Sequence, residues 1–119
     1  MTTRRKFLIG SAAAGTVTVL PSLGLAAAHG ASLSFMDGKI TIDPIAHASL
    51  IMTTPSGVVY VDPVGETAQY EGMPEPDLIL VTHRHGDHYN ADFLGRYPQA
   101  PILTNADVNE MMPEELQTR

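Results

Sequence analysis

Val81-Thr82-His83-Arg84-His85-Gly86-Asp87-His88 is the stretch on which the reading of this chain turns. Four potential metal ligands, three imidazoles and a carboxylate, fall within six residues directly after an apolar run. In an extended segment, residues i and i+2 point to the same side, so His83 and His85 can converge on one ion. Gly86 permits a sharp backbone turn. Asp87 and His88 can then face a neighbouring point, where a second ion would sit. Imidazole and carboxylate donors without thiolate suit zinc, manganese or iron. Two ions about 3.5–4 Å apart would polarise a substrate and generate hydroxide near neutral pH. A solvated polar loop would account for a single histidine here, but not for three with an aspartate in this register.

Working outward, residues 77–82 form an apolar run bounded by turn signals, which predicts a strand buried on both faces. Upstream, 32–36 and 39–43 flank Asp37-Gly38, a two-residue hairpin signal. Residues 48–53 and 58–61 flank Thr54-Pro55-Ser56-Gly57 and predict a second hairpin with a four-residue turn. Asp62-Pro63 ends that hairpin, because proline cannot donate to a ladder. The Gly- and Pro-rich segment 64–76 reads as loop with room for one helical turn. Downstream, Asn90 caps a predicted helix through Tyr97, and 101–104 reads as a short strand. Thr104 or Asn105 caps a last helix with Val108, Met111 and Met112 on its buried side, stopped at Pro113. The polar segment 114–119 has no predicted structure.

The ends and the composition bound the possibilities. Thr3-Arg4-Arg5-Lys6-Phe7-Leu8 places paired arginines before a moderately apolar run, the twin-arginine export pattern. The run 7–25 is long enough to span a bilayer. However, eight of its positions are glycine, proline or hydroxyl residues, and Ala26-Ala27-Ala28 follows as a cleavage site. The expectation is a removable signal at 1–28, a domain at 29–119, a periplasmic or otherwise exported destination, and no stable membrane span after cleavage. Without Arg4, Arg5 and Lys6, four of the seven basic residues remain against all 13 acidic ones, a net charge near −9. Such a field repels a phosphate backbone, so nucleic acid is excluded as a partner. With no cysteine, disulfides and thiolate sites are excluded as well. What remains is one small domain held by packing, by bound metal or by a partner.

His83-Arg84-His85-Gly86-Asp87-His88 resembles the His-x-His-x-Asp-His signature of the metallo-β-lactamase fold superfamily. Tyr60-Val61-Asp62-Pro63 upstream and Pro76-Asp77-Leu78-Ile79-Leu80-Val81-Thr82 leading into the motif agree with it. Ala46-His47-Ala48-Ser49 is similar to the branch containing L-ascorbate-6-phosphate lactonase. The likeness spans about residues 32–112. It implies an α/β (α+β) fold, the N-terminal half of an αββα sandwich with metals at one edge. It assigns His83 and His85 to one metal, and Asp87 and His88 to a second. Zinc is the first expectation, with manganese or iron as alternatives, and a complete site holds up to two ions. Asp87 is also the expected catalytic residue, orienting the attacking hydroxide, while Asp62 supports the metal loop without binding the ion. His47, read from the sequence as a half-buried strand histidine beside Asp62, becomes through the resemblance a candidate for the substrate pocket. The implied function is hydrolysis of an ester, lactone or similar bond in a small molecule by metal-activated hydroxide.

The pattern also breaks. In the family each metal takes further ligands from later in the chain, a histidine for each ion and a bridging carboxylate. No histidine follows His88 here. Asp92, Asp107, Glu110, Glu114 and Glu115 sit in no matching context, and family members are longer, with a second sheet built by their later half. The expectation is therefore a shortened gene product or a part of a longer protein, with a site shared in a dimer as the weaker alternative. Two rivals to the enzyme follow: a non-catalytic remnant holding one metal through His83, His85 and His88, and a small exported interaction module with a vestigial motif. Arg84 is available to an anionic substrate or to solvent, and His29, if first in the processed chain, could chelate copper. The sequence does not set the oligomeric state.

Overall fold

Six short, largely apolar segments build one mixed sheet in the computed structural model, which describes residues 31–117. The export signal read over 1–28, and His29, lie outside the described residues. The strands are β1 (Leu33–Phe35), β2 (Ile40–Ala46), β3 (Ser49–Thr54), β4 (Gly57–Val61), β5 (Leu78–Val81) and β6 (Ile102–Thr104), each beside its neighbour in sequence. Pairing is antiparallel from β1 to β4 and parallel from β4 to β6. Each parallel step needs a crossover. The first carries a 3₁₀ turn, Thr67–Tyr70, and the second carries helix α1, Ala91–Leu94. Helices α2 (Ala106–Met111) and α3 (Glu114–Gln117) follow β6. Among the described residues, no helix is long and apolar enough to cross a membrane.

Both hairpins form, with loops that differ from the sequence expectation. The β1–β2 ladder stops at Phe35↔Ile40. Four residues are left in the loop because Met36, Asp37 and Gly38 take φ of +50°, +56° and +83°, a run that neither strand can absorb. The β3–β4 loop is shorter than expected, since Thr54 pairs with Gly57 and only Pro55-Ser56 remains outside the ladder. Gly57, at φ +148°, lies where a Cβ would run into the Asp77 carboxylate. That carboxylate accepts the Val58 N–H at 2.8 Å.

One face of the sheet is the core. Ile51, Tyr60 and Ile79 lie side by side in register, and each is at most 1% exposed. Phe93, Leu94, Val108, Met112 and Leu116 pack against them. Helix α1 is a single turn rather than a run to Tyr97; Asn90 caps it by accepting the Phe93 N–H at 3.0 Å. The chain then tightens, with Arg96 and Tyr97 donating to Phe93 and Leu94 three residues back. In α2, capped by Asn105, the buried stripe is Val108 and Met112, while Met111 turns outward at 47% exposure. Residues 114–117 form a helix where none was expected. Pro113 stands at the N-cap position, where its carbonyl accepts from Leu116 and Gln117, and Leu116 docks in the core.

The opposite face is also apolar, but it is open among the described residues. Leu50, Val61, Leu80 and Leu103 form one row across β3 to β6, and Leu33, Ile42, Met52, Val59 and Leu78 form another across β1 to β5. Leu33 and Leu103 are 53% and 60% exposed, and the strand residues between them are half-buried. The expectation that β5 is buried on both faces is therefore corrected: Ile79 and Val81 are buried, whereas Leu78 and Leu80 are only half-buried.

Candidate metal centre

The parallel pairing of β4 with β5 brings Asp62 beside Thr82, each just past the end of its strand. Asp62 turns sharply, at φ +45°, and donates its N–H to the Leu80 carbonyl at 2.8 Å. Its side chain is buried, and a bare carboxylate there would be costly. Three donors satisfy it: the Thr82 N–H at 2.7 Å, the Thr82 hydroxyl at 2.5 Å and His88 Nδ1 at 2.8 Å. The Ser49 hydroxyl donates to the Asp62 carbonyl at 2.5 Å, and Asn105 Nδ2 donates to the Thr82 carbonyl at 2.9 Å. The start of the motif loop is thus held from four elements of the fold.

Beyond Thr82 the loop closes on itself. The His85 carbonyl accepts the N–H groups of His88 and Tyr89, both at 2.9 Å, which wraps the chain around Gly86 and Asp87. His83 Nε2 lies 2.9 Å from His85 Nδ1. Asp87 Oδ2 lies 2.9 Å from His47 Nε2 and 3.5 Å from His88 Nε2. His47, Asp87 and His88 each offer a donor atom within 4.8 Å of the others. The rings of His83 and His88 are 5.3 Å apart, so the two clusters adjoin. Arg84 is exposed beside them.

The electrostatics follow from these contacts. His88 directs Nδ1 at Asp62 and turns Nε2 toward Asp87. The hydrogen bond to Asp62 raises the His88 pKa above its ordinary value against the effect of desolvation, and the charges of Asp87 and Asp62 add to the rise. For Asp87, desolvation pushes upward but is outweighed by its own backbone N–H, the His88 charge and the His47 hydrogen bond. It therefore ionises below the usual carboxylate range.

His47 is not where the sequence placed it. Ser49 occupies the position beside Asp62, and His47 sits in the β2–β3 turn with its side chain 66% exposed. A register shift between Pro44 and Ala46 offsets the strand end, and Pro44 within the strand was the one signal that could have announced it. The donor set suits a divalent cation. Bonds of about 2.0–2.1 Å around one ion put neighbouring donor atoms roughly 3.0–3.4 Å apart, close to the separations between His83 and His85 and around Asp87 Oδ2. A carboxylate on the far nitrogen of a liganding imidazole is also the usual brace, and Asp62 supplies it.

Comparison with known proteins agrees with this geometry. The beta-lactamase superfamily domain matches residues 41–117. This chain belongs to the beta-lactamase superfamily. Within that superfamily it is similar to proteins named UPF0173 metal-dependent hydrolase. One from Anaeromyxobacter sp. (strain K) is 34% identical over 83 residues, 63% of this chain and 30% of the relative. Another, from Cupriavidus necator, is 34% identical over 85 residues, 63% of this chain and 29% of the relative. A crystal structure from Parabacteroides distasonis, of a protein assigned as a metal-dependent hydrolase, superimposes with a TM-score of 0.56 at 35% identity. It covers 67% of this chain and 38% of its own. The chain thus spans about 30% of the length of the relatives it matches, and the six-stranded sheet with its few helices is a metallo-β-lactamase-type fold.

Proposed function

We propose that this chain carries the metal-binding part of a hydrolase that cleaves an ester, lactone or similar bond in a small molecule. One observation carries the reading: two adjoining donor clusters, His83 with His85 at 2.9 Å and Asp87 with His88 at 3.5 Å, on a loop braced by a buried aspartate. A divalent cation bound there, zinc or alternatively manganese or iron, supplies a Lewis acid and lowers the pKa of a water toward neutrality. His83 and His85 would hold one ion, and Asp87 and His88 would hold the other.

The rest is the work of the chain's own groups. Asp62 keeps the His88 proton on Nδ1, leaving the Nε2 lone pair free to donate. Thr82 fixes the Asp62 carboxylate through two hydrogen bonds. Asp87, ionised at neutral pH, accepts a hydrogen bond from the attacking water and aims its oxygen at the electrophilic carbon. Arg84 is available to an anionic substituent of the substrate. Export by the signal read over 1–28 belongs to the same proposal.

The test is metal content together with a hydrolysis screen on aryl esters and lactones, using the full chain. Asp87→Ala is expected to lower activity about 10²–10⁴-fold with the circular dichroism spectrum unchanged. A folded chain, fully loaded with each of the three metals and inert toward every substrate, would remove the catalytic reading. A second reading, metal binding without catalysis, is favoured by the openness of the site. His83, His85 and Asp87 are exposed, and three cavities on the described surface, lined by residues such as Pro76, Tyr97, Thr67 and Asp92, lie away from them. One weakly held equivalent of metal, instead of two tight ones, would select it.

A further inference from the structure

The turn between β2 and β3 is one of two places beside the motif where a residue other than glycine takes a positive φ. The pair Ala46↔Ser49 closes a loop of two residues, His47 and Ala48, and His47 takes φ +47°. In two-residue hairpin loops a positive φ at the first position favours glycine, asparagine or aspartate, because an L side chain meets its own backbone there. Among the described residues, four other than glycine have positive φ; Met36 and Asp37 serve the β1–β2 turn, whereas His47 and Asp62 border the motif. Strain held at such a place points to a side chain doing something that glycine cannot. Packing is not that task, since the imidazole is 66% exposed. It is directed at Asp87, 40 residues away in sequence, with Nε2 2.9 Å from Oδ2.

From this geometry we infer that His47 is a metal ligand, forming with Asp87 and His88 a three-donor site for one divalent cation and leaving His83 and His85 to the other. The inference rests on the metal-hydrolase reading and completes it. The motif by itself gives each ion two protein donors; His47 brings one ion to three, the number that leaves an open position in catalytic zinc sites. The three donor atoms lie within 4.8 Å of one another. They come from a turn and a loop that the sheet holds together, with Asp62 behind His88.

The alternative is that His47 merely hydrogen-bonds Asp87 and orients it. Two variants of the full chain separate these roles. His47→Gly removes the imidazole and relieves the turn. His47→Gln keeps an N–H donor toward Asp87 but has no imidazole. Each metal-free chain would be titrated with Zn²⁺ and Co²⁺ by calorimetry, and the Co²⁺-loaded forms compared by proton NMR. The wild type is expected to take two equivalents. Metal-free His47→Gly should melt at or above the wild-type temperature yet bind one equivalent more than about 100-fold more weakly, beyond the usual 10–100-fold loss of an outer partner. One paramagnetically shifted imidazole resonance should vanish in both variants. Wild-type affinity in His47→Gln, or an undiminished set of shifted imidazole resonances in either variant, overturns the inference. If His47→Gly melts lower, the strain argument goes and the resonance count in His47→Gln decides. A wild type that binds neither metal removes the hydrolase reading itself; a wild type that binds both equivalents with His47→Gly unchanged removes only the role of His47.

Discussion

The two faces of the sheet are built from the same strands and meet different fates. On one, Ile51 and Ile79 are fully enclosed beneath short helices. On the other, Leu50 and Leu80 each sit one residue away from those buried positions and are only half-buried. In a sheet with one solvated face, apolar residues alternate with polar ones. Here the alternate positions are apolar too, so β3, β4 and β5 carry the composition of strands meant for cover on both sides. The difference teaches that the sequence specifies a layered core while the described residues supply one layer of it. The metal loop leaves the sheet at the edge between these two environments. Its brace, Asp62, is rooted on the enclosed side, while His83 and His85 are exposed.

The sharpest way to break this comparison is a pair of neighbours on β5. Ile79→Ala removes a fully enclosed side chain and is expected to destabilise by about 2–5 kcal/mol. Leu80→Ala, one residue on, should lower stability by about 1 kcal/mol, since its side chain is only partly buried. Urea unfolding followed by circular dichroism reads both. Equal losses would mean that the second face is covered after all.

Next comes Asp62, where the enclosed side reaches the site. Asp62→Asn keeps the shape but turns one acceptor oxygen into a donor facing the Thr82 N–H, the Thr82 hydroxyl or His88. A loss of about 1–3 kcal/mol is expected, with metal affinity falling about 10–100-fold. Unfolding and calorimetric titration measure the two effects separately. An affinity that stays at the wild-type level would detach the brace from the metal.

How much of this was legible in the sequence depends on whether its cause was local. The motif, the strand before it and the Asn90 cap were legible, and the second cap was narrowed to Thr104 or Asn105, because i, i+2 geometry and a side chain reaching its own N3 amide need no tertiary information. The position of His47 was not, since a register shift at Pro44 moved it from strand to turn. Helix α3 was missed because Glu114 and Glu115 mask the one apolar contact, Leu116, that docks it. Leu78 and Leu80 were read as enclosed because composition records what a strand is suited to, and burial records what is present to cover it.

Tyr89 tests the seam between the two environments. Its ring leans on the core cluster, its pKa is raised by burial, and its hydroxyl is buried without a hydrogen-bond partner among the described residues. Tyr89→Phe deletes that hydroxyl and keeps the ring, so stability should rise by about 1 kcal/mol with metal binding unchanged. A loss of similar size would show that the hydroxyl has found a partner.

The smallest effect on folding should come from Leu103, 60% exposed on the edge strand of the open face. Leu103→Lys places a charge where nothing covers it, and stability should stay within about 0.5 kcal/mol. A lysine on an edge strand also discourages pairing with another chain. The expected signature is therefore colloidal: weaker fluorescence from a dye that binds exposed apolar surface, and a sedimentation coefficient that no longer rises with protein concentration. If the substitution instead unfolded the chain, Leu103 would have to be enclosed in solution, and the two faces would be more alike than their exposures say.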